Sequence, residues 1–72
     1  MNEENSPTKN RDLLLRHLLD NNASSNIIVQ IVTPLADRTN EEKEIIAEKL
    51  FNAIKDKETS EEMLEAAKAL KL

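Results

Sequence analysis

From residue 10 onward the apolar positions recur at helical spacing, and the polar positions between them carry helix start and stop signals. In the first run, "NRDLLLRHLLDNN", Leu14, Leu15, Leu18 and Leu19 share one arc at about 100° per residue, with Arg16 and Asp20 opposite. Asn10 stands where an N-cap belongs, Asp12 and Arg16 have the i,i+4 spacing of an ion pair, and asparagines follow the last leucine. The pattern predicts a helix over residues 11–21. Leu13 falls among the polar positions of this helix, and His17 lies beside it at the edge of that set.

The middle stretch, "NIIVQIVTPLAD", allows two readings. As a strand it would be apolar on both faces and would need a sheet covering both, and no other segment supplies one. As a helix, Ser25, Gln30, Thr33, Pro34 and Asp37 gather on one side, leaving Ile27, Ile28, Val29, Ile31, Val32, Leu35 and Ala36 on the other. β-branched residues lower helix propensity by only tenths of a kcal/mol each, whereas unpaired strand edges leave rows of unsatisfied polar groups. A helix ending near Thr33 is therefore expected, capped by Ser24 or Ser25, with a kink or break at Pro34. The alternative is a short strand exchanged within an intertwined dimer, the strand-helix-helix order of ribbon-helix-helix proteins, and nothing beyond that order supports it.

The clearest signals come last. "TNEE" at residues 39–42 is a capping box, with acids in the first turn and Lys55 and Lys57 near the end, which predicts a helix over residues 40–57. Ile46, Leu50, Ala53 and Ile54 line its inner arc, Ala47 and Phe51 widen it, and Ile45 points away. "TSEEMLEAAKALKL" repeats the device from Thr59 to Glu62 and predicts a helix over residues 60–71, with Met63, Ala66, Ala67 and Leu70 on one face rich in small side chains. With no glycine anywhere, asparagines and plain loops must close these helices. The expected fold is all-α, a small bundle of three or four short helices in one domain over residues 10–72. Residues 1–9, polar and charged apart from the initial methionine and Pro7, read as a disordered tail.

Size changes the picture. A chain of 72 residues lies where one core rarely supplies more than roughly 3 to 5 kcal/mol, so self-association, with a homodimer as the simplest form, is expected to help. Disulfides are excluded, because there is no cysteine, and a single histidine makes no zinc centre. No cofactor or metal is expected. The net charge of −4 disfavours nucleic-acid phosphates and anionic lipid. No stretch approaches the roughly 20 apolar residues of a membrane span, and the acidic, polar N-terminus lacks the pattern of a signal peptide, so a cytoplasmic protein is expected.

Catalysis needs a nucleophile, a base and oxyanion donors held together, commonly on glycine turns, and the sequence offers no such set, no phosphate loop and no calcium loop. An enzyme is not expected. Carboxylates in "NEEKE" and "ETSEE" are accounted for by their places near helix starts. A DNA-reading helix over residues 40–57 would enter the groove behind Glu41, Glu42 and Glu44, so a nucleic-acid-binding regulator resting on Lys9, Arg11 and Arg16 is the lesser alternative. What remains is non-covalent binding of another protein, as a regulator, inhibitor or adaptor that covers a partner's surface, or a structural oligomer that joins only copies of itself. Leu13, His17, Ile45 and Phe51, apolar or amphipathic residues set among charges, are the candidate partner-binding residues.

Overall fold

The computed structural model describes residues 7–71, and over these the chain is all-α. It forms α1 (Lys9–Asp20), α2 (Ser25–Val32), a 3-10 turn (Thr33–Leu35), α3 (Asn40–Ile54) and α4 (Ser60–Lys68), with no strand among the described residues. No helix among them is long and apolar enough to cross a membrane. The disordered tail expected over residues 1–9 lies mostly outside the described residues. Where it overlaps them it is too long, because Pro7 and Thr8 form a turn and Lys9 is already helical.

The helix starts follow the caps read from the sequence, with one exception. Ser24 Oγ accepts from the Ile27 N–H at 3.3 Å and starts α2. At α3 the capping box is complete: Thr39 Oγ1 accepts from the Glu42 N–H at 3.2 Å and the Glu42 carboxylate accepts from the Thr39 N–H at 3.0 Å. These bonds from Thr39, its backbone N–H first, hold the Glu42 carboxyl below 4.5. At α4 only half the box forms, because Thr59 Oγ1 accepts from the Glu62 N–H but donates its own proton to the Glu62 carboxylate. The exception is α1. Asn10 is not its N-cap; Thr8 is, and Thr8 Oγ1 donates to Asp12 instead of capping the helix. That bond occupies Asp12, which forms no ion pair with Arg16.

The helix ends show how a chain without glycine stops. After α1, Asn22 adopts φ 59°, its N–H bonds the Leu19 carbonyl and the Ala23 N–H bonds the Leu18 carbonyl. This is the Schellman arrangement, with asparagine in the left-handed position that glycine usually fills. Asp37 plays a similar role after the 3-10 turn at φ 61°. Helix α2 stops at Val32 as Pro34 requires, and Thr33 tops it off, its hydroxyl donating to the Val29 carbonyl at 2.6 Å. Both later helices are three residues shorter than their patterns predict, ending at Ile54 and Lys68. After α3, residues 55–57 are charged and lack the apolar contacts that hold a helix together, whereas after α4 Leu70 still packs on the core from outside the helix.

The core is wholly apolar: Leu14 and Leu18 from α1, Ile31 from α2, Ile46, Ala47, Leu50 and Ile54 from α3, and Met63 from α4. Half of these come from α3, which is the hub of the bundle. Helix α1 packs along one flank of it, α4 packs on it from another side, and α2 packs on α4. Ala66, Ala67 and Leu70 lie against the core with Met63, so the small face of α4 does admit a close neighbour. Consecutive α1 and α2 barely touch.

Two cross-links set the direction of α1. Asn10 and Arg11 meet Glu44 near the start of α3, and His17 meets Phe51 two turns later. Asn10 stands 34 residues from Glu44, and the same interval separates His17 from Phe51, so α1 and α3 run parallel. The intervening α2 carries the chain back to make this possible.

Candidate binding surface

The α1–α3 seam contains three of the four candidate binding residues. His17 Nε2 lies 3.3 Å from the Lys57 carbonyl oxygen, and the imidazole stands edge-on to the Phe51 ring at 6.0 Å and 87°. Asn21 Nδ2 lies 3.5 Å from the same ring nitrogen and donates to the His17 carbonyl at 2.8 Å. His17 and Phe51 are thus half-buried and engaged with each other and with the chain leaving α3. Leu13, one turn before His17, is half-buried on the same side of α1. Ile45 is 55% exposed on the outer face of α3, turned away from the flank that Glu44 and Phe51 present to α1. The fold therefore gathers Leu13, His17 and Phe51 and leaves Ile45 elsewhere.

This seam explains why α1 is rotated from the orientation its leucines imply. Leu14 and Leu18 are buried, but Leu15 is 40% and Leu19 62% exposed, while Leu13 turns inward. The cause is Glu44. Its carboxylate accepts from the backbone N–H groups of Asn10 at 2.9 Å and Arg11 at 3.3 Å and from Arg11 Nε at 2.7 Å, and its carbonyl accepts from Asn10 Nδ2. Burial raises the Glu44 carboxyl, but the bonds from Arg11 and from both backbone N–H groups outweigh it and hold the group below 4.5. A carboxylate from α3 thus serves as the missing cap of α1 and holds the start of the helix on α3 at its Asn10 side, the side that Leu14 and His17 continue. The sequence carried a faint sign of it: Glu44 lies five residues beyond the Thr39 cap, past the turn where a capping box or helix dipole accounts for an acid.

The same clasp occupies Arg11, one of three basic residues considered for nucleic acid. Arg11 spends Nε on Glu44 and Nη2 on the Pro7 carbonyl at 3.1 Å. Lys9 and Arg16 remain exposed on α1. No group of three or more histidine, cysteine, aspartate or glutamate side chains placed to hold a metal occurs among the described residues.

The rotation leaves an apolar flank uncovered. Leu15 and Leu19 follow Arg11 at four-residue steps along α1, and Val29, 59% exposed, looks outward from α2. Where α2, the 3-10 turn and the starts of α1 and α3 meet, an open groove of about 440 Å³ has aliphatic walls from Val29, Val32, Leu35 and Ala36, with Arg11 and Lys43 among its lining residues. Lys43 is half-buried, and its ammonium makes no ion pair or hydrogen bond among the described residues. A second open groove, about 680 Å³ along α4, has the opposite character, lined by Glu61, Glu62 and Glu65 with Leu64, Ala66 and Lys57. Sequence reasoning missed Leu15, Leu19 and Val29 as surface residues because the helical period placed all three on apolar arcs.

Comparison with protein-family models, with curated proteins and with solved structures finds no match for this chain.

Proposed function

We propose that this protein acts by non-covalent binding to another protein, as a small regulator, inhibitor or adaptor that covers a partner's surface. The observation that carries this reading is the exposure of Leu15, Leu19 and Val29 on the sides of two consecutive helices that barely touch. Scattered exposed leucines are ordinary on any protein surface. Here Val29 lines an open aliphatic groove together with Arg11, and Leu15 and Leu19 follow Arg11 at four-residue steps along α1. Charged Arg16, Asp20 and Arg38 are exposed near them in the sequence, an arrangement that fits an apolar centre with a polar rim. The absence of an aromatic side chain from the groove removes the stacking platform that single-stranded nucleic acids use, and Arg11 is already bonded, which favours a protein partner over nucleic acid.

The same residues favour a second reading, a homodimer that hides this flank by pairing it with its copy. Leu19→Asp combined with Val29→Asp separates surface from core, because both side chains are exposed and the helical circular dichroism should be retained. In a pull-down from nuclease-treated lysate, the wild-type chain is expected to retain a protein that the double variant loses, in a fashion that survives moderate salt. Retention of the same proteins by both chains would refute binding through this flank. Sedimentation equilibrium with a dimer for the wild type and a monomer for the double variant would assign the flank to self-assembly.

A further inference from the structure

We propose that the groove bounded by α2, the 3-10 turn and the starts of α1 and α3 receives an acidic amphipathic helix of a partner protein, with Lys43 as its carboxylate anchor. This rests on the protein-binding reading and specifies its partner. Among the described residues no strand edge is available to extend by β-pairing, and an open groove with aliphatic walls suits a helix laid into it. Val29, Val32 and Leu35 recur at three-residue steps along one wall, the ridge spacing that accepts a helix with apolar residues at i, i+3, i+4 and i+7. Leu15 and Leu19, exposed on α1 at four-residue steps from Arg11 in the groove lining, offer further apolar contact on that side of the helix.

Charge selects the partner's sign. The chain carries a net charge of −4, yet the charged residues lining this groove are Arg11 and Lys43. Glu44 consumes Arg11, leaving Lys43 as a cation without a partner among the described residues, whose half-buried stem restricts where the ammonium can go. A carboxylate on the incoming helix completes that pair, while a lysine in its place meets like charge beside an aliphatic wall, which discriminates against basic helices. The acidic groove along α4 would repel the same partner, so the two grooves do not compete for it.

The test uses the full chain, 15N-labelled, and two synthetic capped peptides with leucines at i, i+3, i+4 and i+7, flanked in one by glutamates and in the other by lysines. Saturable amide shifts at Val29, Val32, Leu35 and Lys43 with the glutamate peptide, and binding at least about tenfold weaker for the lysine peptide, are the expected result. Lys43→Glu should reverse the preference and Lys43→Gln abolish it, with circular dichroism confirming that each variant is folded. Equal binding of both peptides at this groove would overturn the charge-selected partner while leaving protein binding through the flank intact. Shifts confined to the α4 groove or to the Leu13–Phe51 seam, or no shifts with either peptide, would overturn the site itself, and the lysate comparison of the Leu19→Asp, Val29→Asp variant then reports independently on protein binding. Dimerisation that already covers these amides in the free chain would also overturn it.

Discussion

Replacing Glu44 tests the most consequential contact in the fold. Its carboxylate accepts three hydrogen bonds, from two backbone N–H groups and one guanidinium, with side-chain exposures of 20% for Arg11 and 19% for Glu44. Hydrogen bonds to charged groups contribute about 1.5 to 3 kcal/mol each in favourable cases, and the loss of an N-cap costs about 1 kcal/mol. The three share one carboxylate near the surface and are not additive, so Glu44→Ala is expected to cost about 2 to 3 kcal/mol in total. Against the roughly 3 to 5 kcal/mol available to a domain of this size, that is a large fraction. The melting temperature should fall by about 10 to 20 °C. Glu44→Gln keeps the shape and one acceptor and should fall between wild type and alanine. Urea denaturation followed at 222 nm measures the energies, and amide exchange locates them, with protection lost first at Asn10 and Arg11. Arg11→Met, alone and combined with Glu44→Gln, supplies the coupling energy. A Glu44→Ala loss of no more than about 0.5 kcal/mol, the range of ordinary surface substitutions, would refute the clasp as the determinant of α1.

Acidification provides a second check. The folded Glu44 carboxyl lies below its ordinary 4.5, so its contribution is complete well above that value and is lost as pH falls through the depressed folded pKa. Stability should therefore drop below about pH 4.5, and the drop should be shallower in Glu44→Gln when both are followed by thermal melts across pH 3 to 6. Leu50 is fully buried at the centre of α3, and Leu50→Ala should cost about 2 to 5 kcal/mol, the larger part of the stability or all of it, measured by urea denaturation at 25 °C. A loss of no more than about 0.5 kcal/mol in Leu50→Ala would contradict the core assignment. At Asp37, whose φ is 61°, glycine should be tolerated within about 0.5 kcal/mol, whereas valine should cost at least about 1 kcal/mol, and equal melting temperatures would place the residue outside the left-handed region.

Local chemistry was readable from the sequence wherever one short segment contains all its determinants. Thr39 and Glu42, Ser24 before α2, and Pro34 after it act within three or four residues, so their spacing alone placed the starts of α2 and α3 and the end of α2. The buried set on α3 was legible for the same reason, because Ile46, Leu50 and Ile54 recur at the helical period and α3 packs against α1, α4 and the 3-10 turn. On α1 the period failed. Four leucines defined an arc too wide for one neighbour to cover, and the half that faces inward is the one continuing from Asn10, which is bonded to Glu44, a residue more than thirty positions away. With the His17–Phe51 contact, the same bond marks α1 and α3 as parallel, and Leu15 and Leu19 stay exposed on α1. The helices were thus written locally in the chain, whereas the uncovered flank and its groove arose only when one carboxylate, meeting the unsatisfied N–H groups of a distant helix, selected the face that α1 would bury.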